Sequence, residues 1–102
     1  MSDKETPTGI QVNEVIKLDF PIKVNGVLTD QLVMRRFTVK DWRAAGRLAG
    51  NDDEEREIRL FSMLTDCAVN DLEGLDFADY GKLQAAFQRV SSNPFKNKSS
   101  AE

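Results

Sequence analysis

Histidine is absent from the chain, and cysteine occurs once, at Cys67, among 102 residues. Without imidazole there is no ordinary general base near neutral pH, and one thiol makes neither an internal disulfide nor a zinc site. No G-x-x-x-x-G-K-[ST] run is present to cradle nucleotide phosphates. The expected sets of catalytic, cofactor-binding and metal-ligating residues are therefore empty, and the chain reads as a non-enzyme. Long apolar runs are missing too: none approaches the roughly 20 residues that cross a bilayer, and no basic-then-apolar leader opens the chain. A single free thiol fits a reducing compartment, so a cytosolic protein is expected. Positive charge is not in surplus, since 14 Lys+Arg face 17 Asp+Glu for a net charge of -3. That disfavours a generally basic nucleic-acid binder.

What is present suffices for one domain with a modest core, at 40% hydrophobic residues. Residues 1–13 and 91–102 are polar and poor in burial candidates, and both ends are expected to be disordered. Phe95 beside Pro94 reads either as a short docking point or as a solvent-exposed ring. A compact region over 14–90 is expected between the two ends.

Ile16, Leu18, Phe20, Ile22 and Val24 alternate with Lys17, Asp19, Pro21 and Lys23, the period of a half-buried strand, with Pro21 placing it at an edge. Asn25-Gly26 marks a hairpin turn, and the returning strand follows, so a hairpin is expected over 15–36. A two-residue loop turns Leu28, Leu32 and Met34 away from the face of Leu18 and Phe20. A three-residue loop from Asn25 to Val27, or an equivalent bulge, instead pairs Val24 with Leu28, Phe20 with Leu32 and Leu18 with Met34. The apolar side chains favour the second arrangement. Two strands alone are marginal in water, so their apolar face requires cover.

Thr38 as N-cap, Asp41 in the capping-box position and Gly50 as a stop predict a first helix over 39–49. On it Trp42 shares a side with Val39, Ala45, Gly46 and Ala49 and reads as a core anchor. Lys40, Arg43 and Arg47 form a stripe within about 60° on the other side. Asn51 or Asp52, followed by acids suited to the positive end of a helix dipole, predicts a second helix over about 52–67. Its apolar positions Ile58, Leu60, Phe61, Met63, Leu64, Cys67 and Ala68 cover an arc of about 220°, far more than the about 100° stripe a surface helix buries. Such a helix either lies centrally or keeps one side for a partner. Asn70 is expected to cap a short turn with Leu72 and Leu75, and Asp76 a third helix over 77–90. On that helix Phe77, Tyr80, Leu83, Phe87 and Val90 form an apolar face, with Asp79, Lys82 and Arg89 elsewhere. The expected fold is α+β, an N-terminal antiparallel hairpin with about three helices packed on its apolar face.

In this order the segments LDFPIKVNGV, LVMRRFTVKDWRAA, DDEEREIRLFSMLTD and DLEGLDFADYGKLQ resemble the phage tail assembly chaperones of the Mu-like myophage type. The resemblance covers roughly 17–87. Its most specific stretches are Leu32-x-Met34-Arg35-Arg36-x-Thr38-x-x-Asp41 and Leu72-x-x-Leu75-Asp76-x-x-Asp79-Tyr80. Three positions depart from it: Phe37 where relatives tend to have proline, Trp42 where leucine is commoner, and Asp66 where glycine is frequent. The resemblance implies a protein of phage or prophage origin, made in the bacterial host cytoplasm and not retained in the virion. It implies binding to the tape measure protein, a long helical polypeptide kept soluble until tail tube protein polymerises around it. Relatives are often accompanied by a longer frameshifted form, so that form and a homo-oligomer are expected partners as well.

Such work requires apolar surface lent to a client and later withdrawn. The candidates are Leu60, Met63 and Cys67 on the wide arc of the second helix and Met34 on the hairpin, methionine being easily repacked, with Arg35, Arg36 and Arg43 as charged neighbours. Each apolar candidate also reads as simple core. A rival class is a small regulatory or nucleic-acid-binding protein using the stripe of Lys40, Arg43 and Arg47 with Arg35 and Arg36. Against it, residues beyond 50 hold 11 acids and 6 bases, and no aromatic residue interleaves with the stripe. An enzyme would have only scattered carboxylates, Tyr80 and Cys67. The run from Asp52 to Glu55 lacks the glycine-punctuated spacing of a calcium loop, and no histidine activates the thiol.

Overall fold

A computed structural model describes residues 13–91; the expectations for 1–12 and 92–102, Phe95 included, lie outside the described residues. Strands β1 (Glu14–Val24) and β2 (Val27–Met34) form an antiparallel hairpin, followed by helices α1 (Val39–Ala49), α2 (Asp53–Thr65), α3 (Val69–Leu72) and α4 (Phe77–Val90). This is the α+β arrangement the patterning predicts.

The hairpin combines features of both registers weighed above. Asn25 (φ 53°) and Gly26 (φ 79°) both take positive φ, so the loop has two residues and Val24 pairs with Val27. The expected three-residue loop is therefore wrong, as are its pairings of Phe20 with Leu32 and Leu18 with Met34. Further from the turn Lys17 pairs with Gln31, Ile16 with Leu32 and Glu14 with Met34. Between these two ladders four residues of β1, 18–21, lie opposite Asp30 alone. This wide bulge shifts the register by an odd number and so returns Leu32 and Met34 to the core side, where continuation of the turn's register would set Leu32 against Asp19. Leu28, on the turn side of the bulge, stays outside at 69% exposed, and Phe20 within it is 57% exposed.

One face of the hairpin is covered by α2, α3 and α4. Ile16, Leu18, Ile22, Leu32 and Met34 join Phe61, Leu64, Cys67, Leu72, Leu83, Ala86 and Val90 in one core cluster. The α2 helix is central, which explains its wide apolar arc: it meets β2, α3 and α1, and Phe61 contacts the rings of Tyr80 and Phe87 on α4 at 5.4 and 5.5 Å. The α1 helix departs from expectation, because it packs on α2 and not on the hairpin. Ala45 is its only fully buried side chain, and Trp42 is 47% exposed, so Trp42 is no core anchor.

The N-caps of α1, α2 and α4 are Thr38, Asp52 and Asp76, each accepting a backbone N–H. The α3 helix starts two residues earlier than predicted: Ala68, not Asn70, is its N-cap, and no side chain supplies the bond. On α4 the period misleads at its first turn. Phe77 is exposed, and Asp79, expected on the polar face, is buried completely.

Candidate partner-binding surface

The buried Asp79 explains the bulge. Its carboxylate accepts the backbone N–H groups of Asp19 (3.0 Å) and Phe20 (2.9 Å), donors released where the ladder is interrupted. These bonds outweigh burial and, with help from Lys82, hold the Asp79 carboxyl below the usual range. Lys82 completes the joint, with Nζ 3.4 Å from Asp79, 3.1 Å from Asp19 and 2.9 Å from the Lys17 carbonyl it donates to. Its hydrogen bond to Asp19 raises its own pKa. At the hairpin tip Asp71 accepts the Asn25 N–H at 3.1 Å. Two acids on the helices thus fix the hairpin at its bulge and its turn.

A second joint sets the start of α1. Thr38 and Asp41 form a reciprocal capping box, and Asp41 also accepts from Nη1 and Nη2 of Arg35, at 2.9 and 3.1 Å. The Arg35 bond, opposed by partial burial and aided by Thr38, pushes the Asp41 carboxyl down to about 2. The same bond raises Arg35. Arg35 N–H donates to the Leu64 carbonyl at 3.1 Å, tying the end of β2 to α2.

Between α1 and α2 lies an open groove walled by Trp42, Leu60 and Phe87, with Asp53, Arg56 and Glu57 around it. Arg56 lies over the Trp42 ring at 4.9 Å from its centroid and donates to the Gly50 carbonyl at 3.3 Å. Its guanidinium crosses Gly46, where a Cβ would lie 3.6 Å from Nη2. Phe37 stacks on Phe87 at 5.1 Å behind this wall. Two positions that depart from the resemblance, Phe37 and Trp42, therefore belong to the groove region.

The candidates from sequence are scattered by the fold. Met34 and Cys67 lie in the core, and Leu60 is buried but contributes to the groove wall. Met63 and Arg36 are half-buried, Arg35 serves the α1 joint, and Arg43 is exposed on the outer side of α1. Burial raises the Cys67 thiol, which donates to the Thr65 carbonyl, so it stays protonated. The apolar groups that do reach solvent include Trp42, Val39, Leu48 and Phe77, together with Val15 and Val33, paired on the open face of the hairpin. Sequence reasoning assigned Trp42 to the core because it shares a helix side with Ala45. The alternation of small and large groups on that side was the available signal that α1 packs closely on only part of it.

Among the described residues there is no grouping of three or more acidic or cysteine side chains suited to a metal ion, and no helix long and apolar enough to cross a membrane. Residues 15–92 match the family model described as phage tail assembly chaperone proteins, E, or 41 or 14. The chain belongs to this family. The match takes in the hairpin, its bulge and all four helices, so both joints and the Trp42 groove lie inside the family region of this chaperone. No curated protein and no solved structure matches it.

Proposed function

We propose that this tail assembly chaperone binds the tape measure protein of its phage and keeps it soluble until the tail tube forms, by seating an apolar stripe of that helical client in the Trp42–Leu60–Phe87 groove. The observation that carries the reading is a half-exposed tryptophan, held by Arg56, above an apolar wall. Large rigid aromatic groups of this kind dominate binding energy at protein interfaces, and helix-in-groove recognition needs an apolar trough with a charged rim. The role is non-catalytic, is carried out in the host cytoplasm, and leaves the chaperone outside the finished virion. Met34 and Cys67 support the fold in this reading, and client contact passes to Trp42, Leu60 and the half-buried Met63.

Co-expression tests it. The tape measure protein is expected in the soluble fraction together with the chaperone, and Trp42→Ser is expected to return it to the insoluble fraction while the chaperone stays folded. A tape measure protein equally insoluble with and without the folded wild-type chaperone would refute the reading.

A further inference from the structure

The groove between α1 and α2 has rims of opposite sign. Going round α1 from Trp42 at 100° per residue, Val39 follows after about 60°, Arg43 after about 100° and Arg47 after about 140°. Val39 is 74% exposed and lines a hollow on that flank with Lys40, Arg43 and Arg47. Among the described residues these three cations make no ion pair. The opposite rim belongs to α2 and is acidic, formed by Asp53 and Glu57. The Asp53 side chain is 97% exposed and stands 3.9 Å from Arg56, a loose contact. Glu57 accepts hydrogen bonds from Tyr80 and Gln84, and Glu54 lies beyond it in the next hollow of α2. Packed helices stand about 8–10 Å apart and a helix is about 10 Å across, so one seated on Trp42 and Leu60 brings its flanks to both rims.

On the reading that this groove holds the client, we propose that the rims select which helix enters. The segment bound has carboxylates along the flank of its apolar stripe that meets α1, and lysines or arginines along the flank that meets α2. Like charge on either flank is repelled, which excludes other amphipathic helices. Turning a helix end for end exchanges its flanks, so the rims also favour one chain direction. Exposed ion pairs contribute little each, so the apolar wall supplies affinity and the rims supply discrimination.

Titration of Trp42 emission with three synthetic helical peptides tests this. All share one apolar stripe; the first has glutamates on one flank and lysines on the other, the second lysines on both, the third glutamates on both. The mixed peptide is expected to bind the wild type about tenfold tighter than either uniform peptide, and high salt to erase the difference. Arg43→Glu with Arg47→Glu makes both rims acidic and is expected to move the preference to the all-lysine peptide. Asp53→Lys with Glu54→Lys reverses most of the α2 rim and is expected to move it to the all-glutamate peptide. A preference that moves does not arise from misfolding, which lowers binding of all three. Equal affinity of the wild type for the three peptides, or variants that keep the wild-type preference, overturns the proposal and leaves the groove reading standing. If no peptide alters Trp42 emission of the folded chain, the groove reading falls and the proposal with it.

Discussion

Asp41 performs two functions with one carboxylate, capping α1 and receiving Arg35, and its carboxyl is lowered from 3.8 to about 2. A carboxylate depressed by folding adds stability above its unfolded pKa and loses that addition as pH falls through the folded one. The contribution of Asp41 is therefore whole above about pH 4 and disappears toward pH 2. Arg35 is nearly half exposed, so solvent screens the pair, and Asp41→Asn is expected to cost only about 1 kcal/mol at neutral pH. Denaturation midpoints measured from pH 5 to pH 2 should fall less steeply in that variant than in the wild type. Asp79 has the same sign, and its substitution is expected to do more harm. Asp79→Asn leaves one amide oxygen for two backbone donors, so thermal melting should move down and hydrogen exchange at the Asp19 and Phe20 amides should speed up. Its burial was not legible in the sequence, because its partners are main-chain groups about sixty positions away that become free only through the bulge. At Asp66 the reverse holds. The resemblance places glycine there, and the residue sits in the left-handed region at φ 58°, where glycine meets no steric cost.

Helix ends were the most readable elements, since capping chemistry is local: Thr38, Asp52 and Asp76 each sit next to the donors they satisfy. Helix faces were less readable. Period alone reports which residues share a side, and which side is covered depends on neighbours, so the stripe containing Trp42 and the first turn of α4 were both misassigned. The hairpin loop length was misjudged because the apolar pattern constrains register only away from the turn, while the Asn25-Gly26 pair fixes it at the turn. The bulge reconciles these two constraints. The α1 helix, packed on α2 alone, is the element whose attachment is most easily strengthened. Gly46 has room for a methyl group, with Arg56 at ordinary contact distance. Gly46→Ala is therefore expected to stabilise the protein by about 0.5–1 kcal/mol through helix propensity, measurable by urea denaturation.

Among the described residues the molecule is a hairpin clamped at two points to a layer of three helices, with a fourth helix laid against the central one. This division leaves the core sealed and places aromatic and charged groups on and beside α1, the element with the least burial. Fold class was readable from the strand and helix periods, while the arc width of α2 left its central position as one of two readings, which packing against β2, α3 and α1 decides. The groove was not, because it arises from the angle at which α1 meets α2. The chain's single tryptophan lies in that groove, so its emission reports occupation directly. Titrating the folded chaperone with helical segments of the tape measure protein is expected to shift Trp42 emission to the blue and to saturate, as water leaves the indole. Saturable binding of such a segment, established by calorimetry, with no change in Trp42 emission would contradict the assignment of this groove as the client site.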